Sequence, residues 1–204
     1  MTKQYHHGDL KASLLHAAQA LLLRDGAERL SLRAIAAYAG VSHMAPYAHF
    51  KNKQALMECI VEAGFVDMAN AMIDSVSHLD INNPANTKEL VLAYGVSYLE
   101  FANQHPELYR VMLGQAQMPA AENNNVNTAA LNQYKHNTHL PFNLLRDAFA
   151  LQSDDKFEVK AQALGAWSMV HGMAALLSQG RIQLPQGVSL KQFLASASSM
   201  TFTL

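Results

Sequence analysis

The sequence predicts an all-α protein, with an N-terminal three-helix helix-turn-helix domain over residues 1–54 and a C-terminal helical domain over residues 55–204. Apolar residues recur three and four positions apart along most of the chain, which is the spacing of one helix face. No run alternates apolar and polar residues as a half-buried strand does. Clusters of Gly, Pro, Asn and Asp divide the chain into segments of helix length.

The first predicted helix spans residues 10–24, after a possible capping carboxylate at Asp9 and before a turn at Gly26. Its apolar stripe consists of Leu14, Leu15, Ala18, Leu21 and Leu22. This stripe is expected to pack across the pair of helices that follows.

Residues 30–50 are predicted to form two short helices joined by a tight turn. Ser31 is a good N-cap for the first helix, and Gly40 stands just past its last turn, where a left-handed residue is favoured. Ser42 is then expected to cap a second helix that ends near Phe50. This is the helix-turn-helix plan, whose second helix enters the major groove of DNA.

The same stretch resembles the DNA-binding domain of the TetR family of bacterial transcription regulators. The family pattern is roughly L-[ST]-x-R-x-I-A-x-x-A-G-V-S-x-G-x-[LI]-Y-x-H-F-x-x-K-x-x-L. The residues in register with it are Leu30, Ser31, Arg33, Ile35, Ala36, Ala39, Gly40, Val41, Ser42, Tyr47, His49, Phe50, Lys53 and Leu56. Two residues differ from the pattern. Met44 stands where many members have a small residue, and Pro46 stands where Leu or Ile is commoner.

Side chains at the start of the second helix, from Ser42 to Ala45, are expected to face base edges. His43 can donate or accept a hydrogen bond at a purine edge, whereas Met44 and Ala45 can make only apolar contact, for instance with a thymine methyl group. The resemblance implies phosphate contacts from Ser31, Arg33, Tyr47, His49 and Lys53. Packing is the alternative role for Tyr47, and capping of the helix end is the alternative for His49.

The charge distribution agrees with a nucleic-acid-binding head. Residues 1–54 carry seven Lys and Arg against three Asp and Glu, a net charge of +4. Residues 55–204 carry eight against thirteen, a net charge of −5. A basic segment on an acidic body is typical of a DNA-binding domain joined to a different module.

A long helix is expected to begin after Asn52 and to run to about Val76 or His78. Further helices are predicted over residues 87–104, 106–113, 131–149 with a bend near Pro141, 156–179, and from residue 190 onward. The polar, Asn-rich residues 114–128 are expected to form a loop or a frayed helix start. Residues 1–8 are expected to form an arm that either contacts DNA or has no role.

In the body, Trp167, His171 and Gly172 resemble a Trp-x-x-x-His-Gly signature (WHG) that marks a TetR subgroup. Trp167 and His171 are four residues apart and share one helix face. Aromatic walls with a few polar tips are typical of small-molecule sites. The candidate ligand-binding residues are Tyr94, Tyr98, Phe101, Tyr109, Met112, Phe142, Trp167 and His171. The alternative is that the same residues are core.

A stripe of small residues on the same predicted helix indicates a surface that a second helix can approach closely. Together with the last helix it predicts a homodimer interface built as a four-helix bundle, as is common in the family. The candidate interface residues are Gly165, Ser168, Gly172, Ala175, Phe193, Leu194, Ala197 and Met200.

The sequence offers little for an enzyme, a metal site or a membrane protein. It has no Gly-rich phosphate loop, no G-x-S-x-G turn and no H-E-x-x-H motif, and no cofactor is expected. The one cysteine, Cys59, excludes an internal disulfide, and the pair His136 and His139 is a weak metal signal. Without an apolar run at the N-terminus or a run long enough to span a bilayer, we expect a soluble cytoplasmic protein.

These observations predict a TetR-like homodimeric repressor, not an enzyme, that leaves a palindromic DNA operator when a small apolar or amphipathic inducer binds. Two alternatives stay open. One is a constitutive regulator without a small-molecule inducer. The other is a helical ligand-binding protein whose DNA-binding head is vestigial.

Overall fold

The computed structural model describes residues 10–114 and 128–199, and all regular secondary structure within these ranges is helical. The α-helices there are α1 (Leu10–Asp25), α2 (Leu32–Ala39), α3 (Lys53–Ser75), α4 (Thr87–Gln104), α5 (Pro106–Leu113), α6 (Thr128–Phe149), α7 (Lys156–Ser178) and α8 (Leu190–Ser199). Short 3-10 helices span Ala45–Ala48 and Pro84–Asn86. The predicted all-α fold class is confirmed. The expected cap at Asp9, the N-terminal arm, most of the Asn-rich segment and Met200 lie outside the described residues.

The chain divides into two compact units. The first comprises Met1–Gly64 and Glu107–Leu131, and the second comprises Phe65–Pro106 and Asn132–Leu204. The predicted boundary at residue 54 falls inside α3 and inside the first unit, because α3 continues without a break from Lys53 to Ser75. A functional division at that residue therefore stays a prediction.

The first unit is built around the apolar faces of α1, α2 and α3. Its most buried side chains, each at most 1% exposed, are Leu14, Ala18, Leu22, Ile35, Ala36, Phe50, Leu56, Ile60 and Val61. The predicted stripe of α1 is largely confirmed, with Ala17 buried in addition and Leu15 only half-buried. Burial of this apolar surface is the main force that holds these three helices together.

Helix α2 is bounded by two caps that the sequence predicts. The Ser31 hydroxyl oxygen accepts a hydrogen bond from the Ala34 N–H at 3.2 Å. At the other end, Gly40 takes the left-handed conformation with φ 68° and ψ 30°, and the Val41 N–H donates to the Ala36 carbonyl at 3.0 Å. Both ends are therefore satisfied locally, as a short helix requires.

The second helix of the motif differs from the expectation. Instead of an α-helix capped by Ser42, residues 43–44 form a turn and Ala45–Ala48 form a 3-10 helix. Pro46 explains the difference, because it has no N–H to donate to the Ser42 carbonyl. The Ala45 N–H takes that carbonyl instead, at 2.9 Å, and this contact three residues apart is the 3-10 pattern.

The second unit is organised around α4, which packs against α7 and α8. Gly95 allows α8 to approach closely, since a Cβ built there would lie 2.7 Å from the Leu194 Cδ2 atom. Asp155 caps α7 by accepting from the Phe157 N–H at 2.8 Å, and Ser189 caps α8 by forming a reciprocal capping box with Gln192. Helix α6 begins before the predicted residue 131 and continues through Pro141 without interruption.

Candidate nucleic-acid interface

Four of the candidate DNA-binding residues lie around one open groove of the first unit. The groove has a volume of about 340 Å³ and is lined by Arg33, His43, Met44 and Tyr47. Arg33 extends from α2, whereas the other three come from the turn and the 3-10 helix that follow. Met44 is 61% exposed and Tyr47 is 52% exposed, so large apolar and aromatic surfaces face solvent here. A guanidinium, an imidazole, a thioether and a phenol suit both the charged and the apolar parts of a nucleic acid.

Local hydrogen bonds hold the turn that carries these side chains. The Ser42 hydroxyl accepts from the Met44 N–H at 3.2 Å, and the Met44 carbonyl accepts from the Tyr47 N–H at 3.1 Å. Pro46 between them is buried, which fixes the turn to the core of the unit. The groove is therefore lined by residues whose backbone positions are set by short-range contacts.

The other candidate DNA-binding residues have more structural roles. The Ser31 hydroxyl caps α2, and Ala45 is half-buried. His49 is exposed and its ring lies 6.3 Å from that of Phe50, which is core. The Lys53 Nζ atom donates to the carbonyl oxygens of Ala27 and Glu28 at 3.0 and 3.4 Å. An ammonium group has three protons, so a contact with phosphate is compatible with this use.

An exposed aromatic contact that was not predicted from the sequence lies in the same unit. Tyr38 on α2 is 51% exposed, and the Arg24 guanidinium carbon lies 5.9 Å from its ring centre. Arg24 also pairs with Asp25 at 2.7 Å, and this hydrogen bond lowers the pKa of the Asp25 carboxyl. Tyr38 could have been found from its outward position on the helical pattern of α2.

In the second unit, four of the candidate ligand-binding residues form a ring cluster between α4, α6 and α7. The Trp167 ring lies 5.1 Å from that of Tyr98, 6.0 Å from that of Phe142 and 4.8 Å from that of His171, measured between centres. Its contacts with Tyr98 and Phe142 are edge-on, which is a favourable geometry for aromatic pairs. The Tyr98 hydroxyl lies 2.8 Å from Nδ1 of His171.

Burial sets the protonation of this cluster. Tyr98 is 1% exposed, whereas the other three rings are half-buried. Desolvation lowers the pKa of His171 below its usual 6.5, and a hydrogen bond with the backbone of Trp167 acts in the opposite direction. The cluster therefore combines an imidazole whose neutral form is favoured by burial with a buried phenol and two further aromatic rings.

The remaining candidate ligand-binding residues are divided between the two units. Tyr94 and Phe101 are buried on α4, and burial followed by the charge of Asp147 raises the pKa of Tyr94. Tyr109 and Met112 belong to the first unit, where Met112 packs against α3 so closely that a Cβ at Gly64 would lie 2.7 Å from its sulfur. All four residues are buried and pack in the cores of their units. A ligand role for any of them stays a prediction.

The candidate dimer residues on α7 lie on a largely uncharged, outward face. Ser168 and Gly172 are exposed, Gly165 and Ala175 are half-buried, and a Cβ at Gly172 would meet no atom within 4 Å. On α8, Phe193 and Ala197 are half-buried. Leu194 is 2% exposed and packs on Gly95 and α4 of its own chain. Leu194 is therefore core of the second unit and is not available on its surface.

The structure also locates the histidine pair and the single cysteine noted in the sequence. The His139 Nδ1 atom lies 2.6 Å from the Lys135 carbonyl, and no group of three or more potential metal ligands occurs among the residues described. Cys59 is half-buried, and burial raises the pKa of its thiol. Within the described ranges, no helix is long and apolar enough to cross a membrane.

Two family profiles match the chain. Residues 14–60 match the profile described as bacterial regulatory proteins, tetR family, and residues 91–196 match the tetracyclin repressor-like, C-terminal domain. The second match covers more than half of the chain. The first match contains the whole groove and the second contains the Trp167 cluster.

Similar proteins agree with these profiles. The nucleoid occlusion factor SlmA of Sodalis glossinidius is 32% identical over 103 residues, which are 50% of this chain and 48% of that protein. The chain thus spans about half the length of the curated relatives it matches. A protein with unknown function from Rhodococcus sp. RHA1 has a solved structure with 29% identity and a TM-score of 0.75, over 98% of this chain and 96% of that one. A TetR-family protein from Vibrio parahaemolyticus shares the fold, with 18% identity and a TM-score of 0.61 over 92% and 96% of the two chains.

Proposed function

This chain belongs to the TetR family of bacterial transcriptional regulators, and from that premise we propose that it is a homodimeric repressor released from a palindromic operator by a small ligand. The groove lined by Arg33, His43, Met44 and Tyr47 carries the proposal. There the first unit offers charged, hydrogen-bonding and apolar side chains together on an open surface.

The first unit is expected to make two kinds of contact with DNA. His43 and Met44, at the start of the second helical element, contact base edges in the major groove. Arg33, Tyr47 and Lys53 contact the phosphates on either side and set the position of the head. The net charge of +4 over residues 1–54 supports this division, because affinity for DNA comes largely from neutralised phosphates.

The proposed dimer uses the outward face of α7 together with α8. Leu164, Ser168, Gly172 and Leu176 follow one another at intervals of four residues, and the two leucines are 53% and 41% exposed. Apolar side chains separated by small residues suit close packing against a second copy of the same helix. A two-fold dimer places its two heads symmetrically, which accounts for a palindromic operator.

The proposed ligand site is the Trp167 cluster in the second unit. Three aromatic rings and one imidazole suit an apolar or amphipathic compound with one polar group. If ligand binding weakens DNA binding, DNA must weaken ligand binding by the same factor. Since a repressor works on the chromosome, a cytoplasmic location is part of the proposal.

The test is a footprint of the purified protein on DNA upstream of its own gene, at two salt concentrations and with a panel of small metabolites. A protected palindrome that one compound releases supports the full proposal. Protection that no compound disturbs supports DNA binding by the first unit and contradicts release by a small-molecule inducer. The absence of a footprint at low salt contradicts DNA binding by this chain.

The similarity to nucleoid occlusion factors favours a second candidate function. In that case the chain would take part in nucleoid occlusion by binding the chromosome, and no metabolite would need to release it. Mapping its binding sites across the genome distinguishes the two functions. A few sites beside promoters support the repressor, whereas many sites away from promoters support nucleoid occlusion.

A further inference from the structure

We propose that Met44 selects the DNA sequence by packing its side chain against the 5-methyl group of one thymine in each half-site. This inference rests on the proposed function, because it requires the first unit to bind duplex DNA. It goes further in naming one residue and one chemical group that determine specificity.

Met44 presents apolar surface to solvent. Its side chain is 61% exposed in the groove, next to His43, Arg33 and Tyr47. An apolar side chain gains free energy when it leaves water for another apolar group. In the major groove the edges of adenine, guanine and cytosine present hydrogen-bond donors and acceptors, and the apolar group is the thymine methyl.

The turn uses the backbone of Met44 for its own hydrogen bonds and leaves the side chain to contact DNA. The Met44 N–H donates to the Ser42 hydroxyl at 3.2 Å, and the Met44 carbonyl accepts from the Tyr47 N–H at 3.1 Å. The backbone is thus satisfied within the protein, while the unbranched thioether can adapt to a methyl group.

The neighbours of Met44 exclude the other apolar candidates in this turn. Ala45 is half-buried and Pro46 is buried, so neither presents comparable apolar surface. His43 is exposed beside Met44 and can form a hydrogen bond to the adjacent base pair. The pair therefore combines an apolar contact with a polar one at neighbouring positions.

The experiment begins with duplexes selected from random DNA by the full-length protein. In the best duplex, each thymine is replaced in turn by deoxyuridine, which removes only the methyl group. The dissociation constant is then measured for the wild type, Met44→Ala and the control Leu23→Ala. Leu23 is a suitable control because it is 65% exposed on α1 of the same unit and takes no part in the groove.

We expect one thymine position in each half-site at which deoxyuridine weakens wild-type binding about fourfold, the effect of about 0.8 kcal/mol for one buried methyl group. Replacing both symmetric positions should multiply the effect to about fifteenfold. Met44→Ala should lose the sensitivity at that position and keep it elsewhere, whereas Leu23→Ala should behave as the wild type. The wild-type protein should bind a duplex with 5-methylcytosine at the same position more tightly than one with cytosine.

Two results would overturn the inference while leaving the proposed function intact. One is wild-type binding that deoxyuridine leaves unchanged at every position. The other is a Met44→Ala variant that loses affinity for all duplexes equally and keeps its sensitivity to the methyl group. That result would indicate that Met44 contacts DNA without regard to base sequence. Failure to select any duplex at all would instead contradict the proposed function.

Discussion

The Tyr98 hydroxyl of α4 lies 2.8 Å from Nδ1 of His171 on α7, so a hydrogen bond joins two helices whose residues are 73 positions apart in the chain. Both rings also contact Trp167. This relationship ties the protonation of one imidazole to the packing of the second unit.

Tyr98→Phe should destabilise the protein by about 1 kcal/mol. It removes the hydroxyl group that forms a hydrogen bond with the half-buried imidazole of His171, and it retains the ring contacts. Urea unfolding of both proteins at neutral pH measures the difference in unfolding free energy. Tyr94→Phe is the matched control, since it deletes a tyrosine hydroxyl one turn earlier on α4. It should reduce the unfolding free energy by less. Equal costs for the two variants would show that the contact with His171 is not the cause.

Acidification should destabilise the wild type through His171. Its pKa is lowered in the folded state, so below the unfolded value of 6.5 the unfolded chain binds more protons than the folded one. The contribution of His171 to stability is therefore complete above that value and is lost as the pH falls through the window below it. Unfolding free energies at about pH 7.5 and about pH 5.5, for the wild type and His171→Gln, measure the effect. The variant should lose less stability on acidification, and an identical loss would contradict the assignment to His171.

Lys53→Ala should weaken binding to all DNA sequences and reduce the slope of log affinity against log salt by about two for the dimer, as expected for one lost phosphate contact in each of its two heads. It should also reduce the stability of the protein, because Lys53 Nζ holds the Ala27 and Glu28 carbonyls. Lys51→Ala, at an exposed position two residues away, controls for the loss of charge. A fall in stability with an unchanged salt slope would leave Lys53 with a structural role only.

His43→Ala should instead relax the sequence preference at one base position while the salt slope stays near that of the wild type. Binding to a set of operators that differ by single base pairs measures the preference. If this variant and Lys53→Ala lost affinity equally on matched and scrambled sites, the division into base and phosphate contacts would be wrong.

Gly40→Ala should destabilise the protein by about 1 kcal/mol, because a residue with a Cβ is strained at φ 68°. Packing is not the reason, since a Cβ at this position would meet no atom within 4 Å. Gly40→Asn is the control, because Asn tolerates the left-handed conformation better than Ala. Thermal unfolding should rank the wild type first, Asn second and Ala last.

Leu164→Glu should weaken the proposed dimer by about 100-fold or more, since a two-fold interface loses the buried leucine twice. Sedimentation over a range of protein concentrations measures the dimer dissociation constant. The control is Leu23→Glu in the first unit, an exposed leucine with the same change of charge. If both variants dimerise as the wild type does, the outward face of α7 is not the interface.

Most helix boundaries could be predicted because the signals that set them are local. The Ser31 and Gly40 caps of α2, the Asn52 cap of α3 and the Asp155 cap of α7 act within four residues of their own position. Membership of the TetR family followed from the ordered residues between Leu30 and Leu56, and the profiles agree with it. Four of the nine candidate DNA-binding residues line the groove, and Lys53 and Ser31 also hold the fold. Their contacts with DNA stay a prediction.

The sequence by itself determined the helical class, the caps and the motif, because each depends on residues that are neighbours along the chain. Tertiary structure decided which residues become core. Leu194 is buried because Gly95 of α4, distant in sequence, leaves space for it, and Met112 packs at Gly64 of α3 for the same reason. Whether an apolar residue faces a partner or its own core depends on which distant surface covers it, and helical spacing alone does not contain that information.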